Sequence, residues 1–169
     1  MKRKLEQTQV KELLIAQYDF LVDAPTEYVF KCVNDDEMIL QWNDHLVENV
    51  YESPEDQLNP KAGSRFKSVQ LIEKKKFTVD AVLTVYEPPY RVDVSAETKE
   101  GTSTTSYQLS REGGYTRLMI EVTMIPSNWF YRMNARLFGW AARMMYLEQF
   151  EKLEKFCEEN YTHNWDSSQ

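Results

Sequence analysis

Between Gly63 and Pro126 the chain passes through five β-rich segments separated by short turns, and the segment from Trp129 onward is helical in pattern with no turn inside it. Connections this short exclude parallel neighbours, which need a crossover of about a dozen residues or more. The segments must therefore pair antiparallel and in chain order, as a meander with one long helix to cover it. RFKSVQLI, FTVDAVLTVY, RVDVSAET, STTSYQLS and YTRLMIEVTMI read as strands, divided by EKKK, EPPY, KEGT and the pair Gly113-Gly114. Glycine is free at positive φ, so Gly113-Gly114 suits a two-residue hairpin turn of the primed type. Pro126-Ser127 ends the last strand, and Ser127 is the expected N-cap of a helix running to about Asn160.

Upstream of this run, LIAQYDFLV (Leu14 to Val22) alternates and is rich in β-formers, which predicts a first strand. Asp23-Ala24-Pro25 stops it, and Thr26 is placed to cap a short helix through EYVFKCV. Asn34-Asp35-Asp36 breaks that helix before a second, EMILQW, and a strand follows at about Val47 to Glu52. SPEDQLNPKAG reads as a polar loop. The order is one strand, two short helices, six strands and one long helix, an α+β layout of about seven strands. Residues 1–13 form a polar lead-in, 14–160 a single domain, and 161–169 a polar tail.

This order, together with FLVDAPTEYVFKCVNDDEMILQW, the later VYEPPYRV and the closing LEQFEKLEKFCEE, resembles the START-like SRPBCC superfamily, which includes polyketide cyclase/dehydrase and lipid-transport proteins. The shared marks are an Ala-Pro before the first helix, a Trp after the second, a Gly before strand three and a Pro before strand five. The resemblance implies a helix-grip fold, in which a curved antiparallel sheet holds the C-terminal helix over a cavity. It also implies a lipid, polyketide or similar apolar ligand. The proline-tryptophan-cysteine signature associated with the quinone-binding branch has no match here.

Composition narrows the partners. A net charge of −7 and a pI near 5.0 oppose nucleic-acid binding, because phosphate recognition needs a basic surface. No apolar run reaches the roughly 18 residues of a transmembrane span. The N-terminus lacks a signal-peptide pattern, and the two cysteines, Cys32 and Cys157, have no metal-ligand or redox spacing, so a reducing cytoplasm with free thiols is expected. No cofactor or metal motif is present.

Matching apolar faces across the turns arranges the inward side chains in rows. Val85, Val92, Leu109 and Leu118 form one. Leu83, Val94, Tyr107 and Ile120 form the next, then Ala81, Ala96, Thr105 and Val122, and last Val79, Thr98, Ser103 and Met124. The side chains shrink from the second row to the third. Since cores fill to close packing, either a large helical residue, a ligand or water takes up that space. On the helix, Phe130, Met133, Leu137, Ala141 and Met144 share one face at roughly 100° per residue, while Gly139, Arg143, Tyr146, Leu147, Phe150, Leu153 and Cys157 share another. The second stripe is the expected sheet-facing one. The first, with Trp140 and Met145 beside it, is surplus: covered by the lead-in or a loop, or else a cavity mouth, a homodimer face or a transient membrane contact.

The predicted ligand-binding residues are Ala81, Ala96, Thr105, Tyr107, Ile120, Val122, Trp140, Arg143, Met144 and Leu147, with Trp42 and His45 at the pocket rim. Arg143 has three expected alternatives: pairing with Glu121, pairing with a ligand carboxylate, or snorkelling to solvent. Three functions follow. Binding or transport of a small hydrophobic molecule is favoured. A cyclase or dehydratase needs an acid/base pair facing the cavity, and the best set, Tyr107, Arg143 and His45, has no compelling spacing, so the chain leans away from catalysis. An interaction module would use the surplus helix face.

Overall fold

The computed structural model describes residues 11–166, with side chains through Tyr161. The elements are β1 (Leu13–Val22), α1 (Thr26–Asn34), α2 (Asp36–Trp42), β2 (Leu46–Tyr51), α3 (Pro54–Leu58), β3 (Arg65–Ile72), β4 (Lys75–Glu87), β5 (Arg91–Thr98), β6 (Gly101–Glu112), β7 (Tyr115–Pro126) and α4 (Trp129–Asp166). The seven strands form one antiparallel sheet in the order β1-β7-β6-β5-β4-β3-β2. This is the expected α+β helix-grip arrangement: the meander runs in chain order and β1 returns to pair with β7. The lead-in up to residue 10 and the last tail residues, 167–169, lie outside the described residues. α4 continues to Asp166, past the end expected near Asn160.

Register follows the expected pattern where glycine fixes the turn and departs from it elsewhere. Gly113, at φ 63, closes the β6–β7 hairpin, and Leu109 faces Leu118 as predicted. Leu83 pairs with Val94 and Ala81 with Ala96, but a bulge after Leu83 shifts the ladder so that Tyr86, rather than Val85, pairs with Val92. One extra residue in a strand reverses the facing of everything beyond it, and Tyr86 accordingly turns its ring to Phe30 of α1. Between β5 and β6 the turn is the two residues Lys99-Glu100, not KEGT. Val94 therefore pairs with Thr105 and Ala96 with Ser103, two residues away from the expected rows. A two-residue slip keeps each side chain on its face.

Gly101 is a strand residue at φ 142, and a Cβ there would lie 2.1 Å from the Ile125 carbonyl oxygen. The β3–β4 turn is also shorter than EKKK; Glu73 and Lys74 take positive φ without glycine.

The caps differ in detail. Thr26 is not a cap: its hydroxyl is buried against that of Thr116, 3.2 Å away. Asp35 caps α2, accepting from the N–H groups of Glu37 and Met38. Asn128, not Ser127, caps α4, its Oδ1 accepting from the Tyr131 N–H at 3.1 Å. Ser127 is held elsewhere: its N–H donates to the Glu100 carbonyl and its hydroxyl to the Lys99 carbonyl, each at 2.8 Å. The polar loop contains α3, started by Ser53 and Pro54.

The core lies between the second half of α4, α1 and the inner face of β1, β7 and β6. Phe150, Leu153 and Cys157 are buried there with Val22, Val29, Leu118 and Ile120. Cys32 and Cys157 are free and buried, and the neighbouring Cys32 thiol, followed by burial, pushes the Cys157 thiol up.

Candidate functional site: a cavity beneath the first half of α4

α4 does two jobs. From Phe150 on, it packs into the core. Ahead of Tyr146 it stands over the far end of the sheet and leaves a cavity of about 950 Å³. The reason is local. Ala135, Gly139 and Ala142 recur at helical spacing on the face turned to the sheet, so nothing larger than a methyl reaches down from those positions. The floor is Ile15 of β1, Val79 of β4, Ser103 of β6, and Val122 and Met124 of β7. Phe138 and Tyr131 flank the roof, and Glu97, Lys99 and Glu100 stand at the β5–β6 end.

An aromatic cluster closes the inner end. Phe150 meets Tyr18 and Tyr107 edge-on, at 5.6 Å and 6.1 Å between ring centroids, and lies against Tyr146. The Tyr18 hydroxyl donates to the Arg143 carbonyl at 2.5 Å. Tyr146 lines the cavity with Ser103 of the floor, whose hydroxyl donates to the Thr123 carbonyl at 3.3 Å. Burial raises the Tyr146 phenol, against the opposing effect of Ser103. Burial likewise raises Tyr107, helped by Tyr146, and raises Tyr18, against the Arg143 charge. The polar groups at this end are thus neutral hydroxyls at physiological pH.

A second, more acidic cavity of about 790 Å³ lies under α1 and α2. Phe30, Phe66 and Tyr86 line it beside Asp35, Asp36 and Glu37. Asn49 donates to Asp36 at 2.7 Å, and Tyr51, also in its wall, is raised by burial and then by Asp36.

Of the residues expected to bind ligand, Val122 borders the main cavity. Ala81 and Ile120 are buried core, and Ala96 and Thr105 sit in the sheet without bordering either cavity. Tyr107 belongs to the aromatic cluster. Trp140, Met144 and Leu147 are exposed on α4; for Leu147 this departs from the expected sheet contact, because it lies about 120° around the helix from Leu153. Arg143 is exposed and does not pair with Glu121, which instead accepts from Gln17 at 3.0 Å. Trp42 is core rather than rim, its indole N–H donating to the Cys32 carbonyl at 2.9 Å. His45 immediately precedes β2, and neither it nor Trp42 borders either of these two cavities. The small roof residues were missed, although Ala-x-x-x-Gly-x-x-Ala is visible in the sequence.

Comparison with known proteins agrees with this fold. A family model described as activator of Hsp90 ATPase homolog 1-like protein matches residues 23–153. Among solved structures, SA2116 of Staphylococcus aureus, described as of unknown function, superposes with a TM-score of 0.69 at 13% identity, over 89% of this chain and 96% of that one. MLL2253 of Mesorhizobium loti gives 0.65 at 16% identity, over 88% and 98%. Ara h 8.0201 gives 0.64 at 12% identity, over 87% and 98%. These likenesses show a shared fold. No curated protein matched the sequence.

Proposed function

Since the chain belongs to the activator of Hsp90 ATPase homolog 1-like family, within the START-like SRPBCC superfamily, we propose that it binds or carries a small hydrophobic molecule in the cavity beneath the first half of α4. Domains of this fold generally bind hydrophobic ligands. The observation that carries the reading is the lining itself. An apolar floor of Ile15, Val79, Val122 and Met124 faces a roof of Ala135, Gly139 and Ala142, with the Tyr146 and Ser103 hydroxyls at one end. A volume of about 950 Å³ lies at the upper end of ordinary small-molecule sites. Neutral hydroxyls beside an apolar space suit a lipid or polyketide-like ligand with one hydrogen-bonding oxygen, and disfavour a charged group at the buried end.

A cyclase or dehydratase built on Tyr107, Arg143 and His45 has less support, because neither Arg143 nor His45 borders this cavity. The buried free thiols fit a reducing compartment, and among the described residues no helix is long and apolar enough to cross a membrane. Native mass spectrometry of the freshly purified protein tests the proposal. An apolar adduct should accompany the wild-type chain and be absent from Ala142→Phe, whose ring would enter the cavity from the roof. An empty wild-type protein that also takes up no fatty-acid or polyketide probe would rule the reading out.

A further inference from the structure

The outer face of α4 changes character along its length. From 148 onward it carries Glu148, Glu151, Lys155 and Glu158. One helical repeat earlier the same face carries Phe130, Met133, Leu137, Trp140 and Met144. These side chains are out in solvent: Leu137 is 61% exposed, Trp140 58% and Met144 65%. Solvent alone does not account for such a face, since contiguous apolar patches mark interaction sites.

Charge says what the partner is. The protein carries −7 overall, yet no acidic residue occurs between Glu121 and Glu148, and Arg132, Arg136 and Arg143 run along one flank of the apolar face. Among the described residues no carboxylate forms a salt bridge with any of the three. Lys11 leads toward the same place, its carbonyl accepting from Arg132 Nη2 at 2.9 Å, and the sequence before it contains Lys2, Arg3 and Lys4. An apolar stripe with Trp and Met, with arginines along one flank, is the pattern of a helix lying in a bilayer interface. Its basic flank is complementary to anionic headgroups.

We propose that the first half of α4 docks the protein on anionic lipid membranes, the Phe130–Met144 face entering the interface and Arg132, Arg136 and Arg143 meeting lipid phosphates. The acidic second half of the helix is repelled from the same surface, which fixes the orientation: the cavity roof lies against the membrane and the core points away from it. Docking uses the opposite helix face from the cavity, so it stands or falls separately from ligand binding.

The test is co-sedimentation of the full chain with vesicles of phosphatidylcholine alone and of phosphatidylcholine mixed with phosphatidylserine. Binding should require the anionic lipid and weaken as salt is raised. Leu137→Glu/Trp140→Glu should abolish it, and Arg136→Glu should weaken it by about fivefold or more. Circular dichroism of these variants should match wild type, since the positions are exposed. The cavity variant Ala142→Phe should still bind vesicles, which separates failure of this proposal from failure of ligand binding. Absence of binding to anionic vesicles, or binding that the double variant leaves unchanged, would overturn it. So would a dimer in light scattering that Leu137→Glu/Trp140→Glu dissociates, because a second copy would then cover the face.

Discussion

Tyr146 stacks on Phe150 with ring centroids 6.0 Å apart and planes 10° from parallel, and α4 passes from cavity roof to core between these two residues. One ring looks into open space while the next is 4% exposed.

Removing the Phe150 ring should therefore be costly. Phe150→Ala is expected to destabilise the fold by about 3–5 kcal/mol, whereas Trp140→Ala should stay within about 0.5 kcal/mol of wild type, as exposed positions do. Urea unfolding measures both; equal losses would mean that the outer face of α4 contributes to the core.

The two glycines at the cavity should respond in opposite senses. A Cβ at Gly139 would meet only Arg143 Nη1, at 3.5 Å, so Gly139→Ala should stabilise the helix by about 0.5–1 kcal/mol. Gly101 combines φ 142 with an Ile125 oxygen 2.1 Å from its would-be Cβ, and Gly101→Ala should cost more than about 2 kcal/mol. Thermal melts of the pair check the contrast, and a tolerant Gly101 would contradict the β5–β6 geometry.

Ligand orientation should depend on the hydroxyl pair at the inner end. Tyr146→Phe keeps the ring on Phe150 but deletes the hydroxyl that lines the cavity beside Ser103. Affinity for a fatty alcohol probe should fall by roughly tenfold, about 1.4 kcal/mol, with affinity for the matching alkane unchanged. Parallel losses for both probes would show that the hydroxyl only shapes the wall.

Alkaline pH should expose the buried phenols. Burial holds Tyr18, Tyr107 and Tyr146 above the ordinary value in the folded protein, while in the unfolded chain they ionise near about pH 10. The folded state then binds more protons, so their contribution is complete below about pH 10 and is lost as pH rises toward the folded values. The urea midpoint should fall above that pH, and less so in Tyr107→Phe. An equal fall in the variant would assign the effect to other groups.

Much of the fold was readable because its signals are local. Alternation in β6 and β7 and the Gly113-Gly114 turn define that hairpin, and the break at Asn34-Asp35-Asp36 separates α1 from α2. The register of β5 against β6 was not readable, because Gly101 looks like a turn residue while its glycine serves a close approach to Ile125. Glu73 and Lys74 take positive φ with no glycine to announce it. The bulge at β4 leaves no mark in the sequence. These offsets set the cavity apart from the Ala81, Ala96 and Thr105 row. Its place depends on where Tyr18, Tyr107, Tyr146 and Phe150 converge from three separate elements, which no single segment reveals.

The hydrogen bonds of Ser127 to Lys99 and Glu100 have a mechanical consequence. They pin one end of the cavity roof to the sheet, and the Tyr18 bond to the Arg143 carbonyl pins the other. The stretch between is a beam on two supports, with the small residues Ala135, Gly139 and Ala142 over the cavity and Tyr131 and Phe138 at its flanks. A beam held at both ends bows at mid-span rather than swinging open like a hinged cover, so the proposed ligand would enter from the side, below the arch, with both footings fixed.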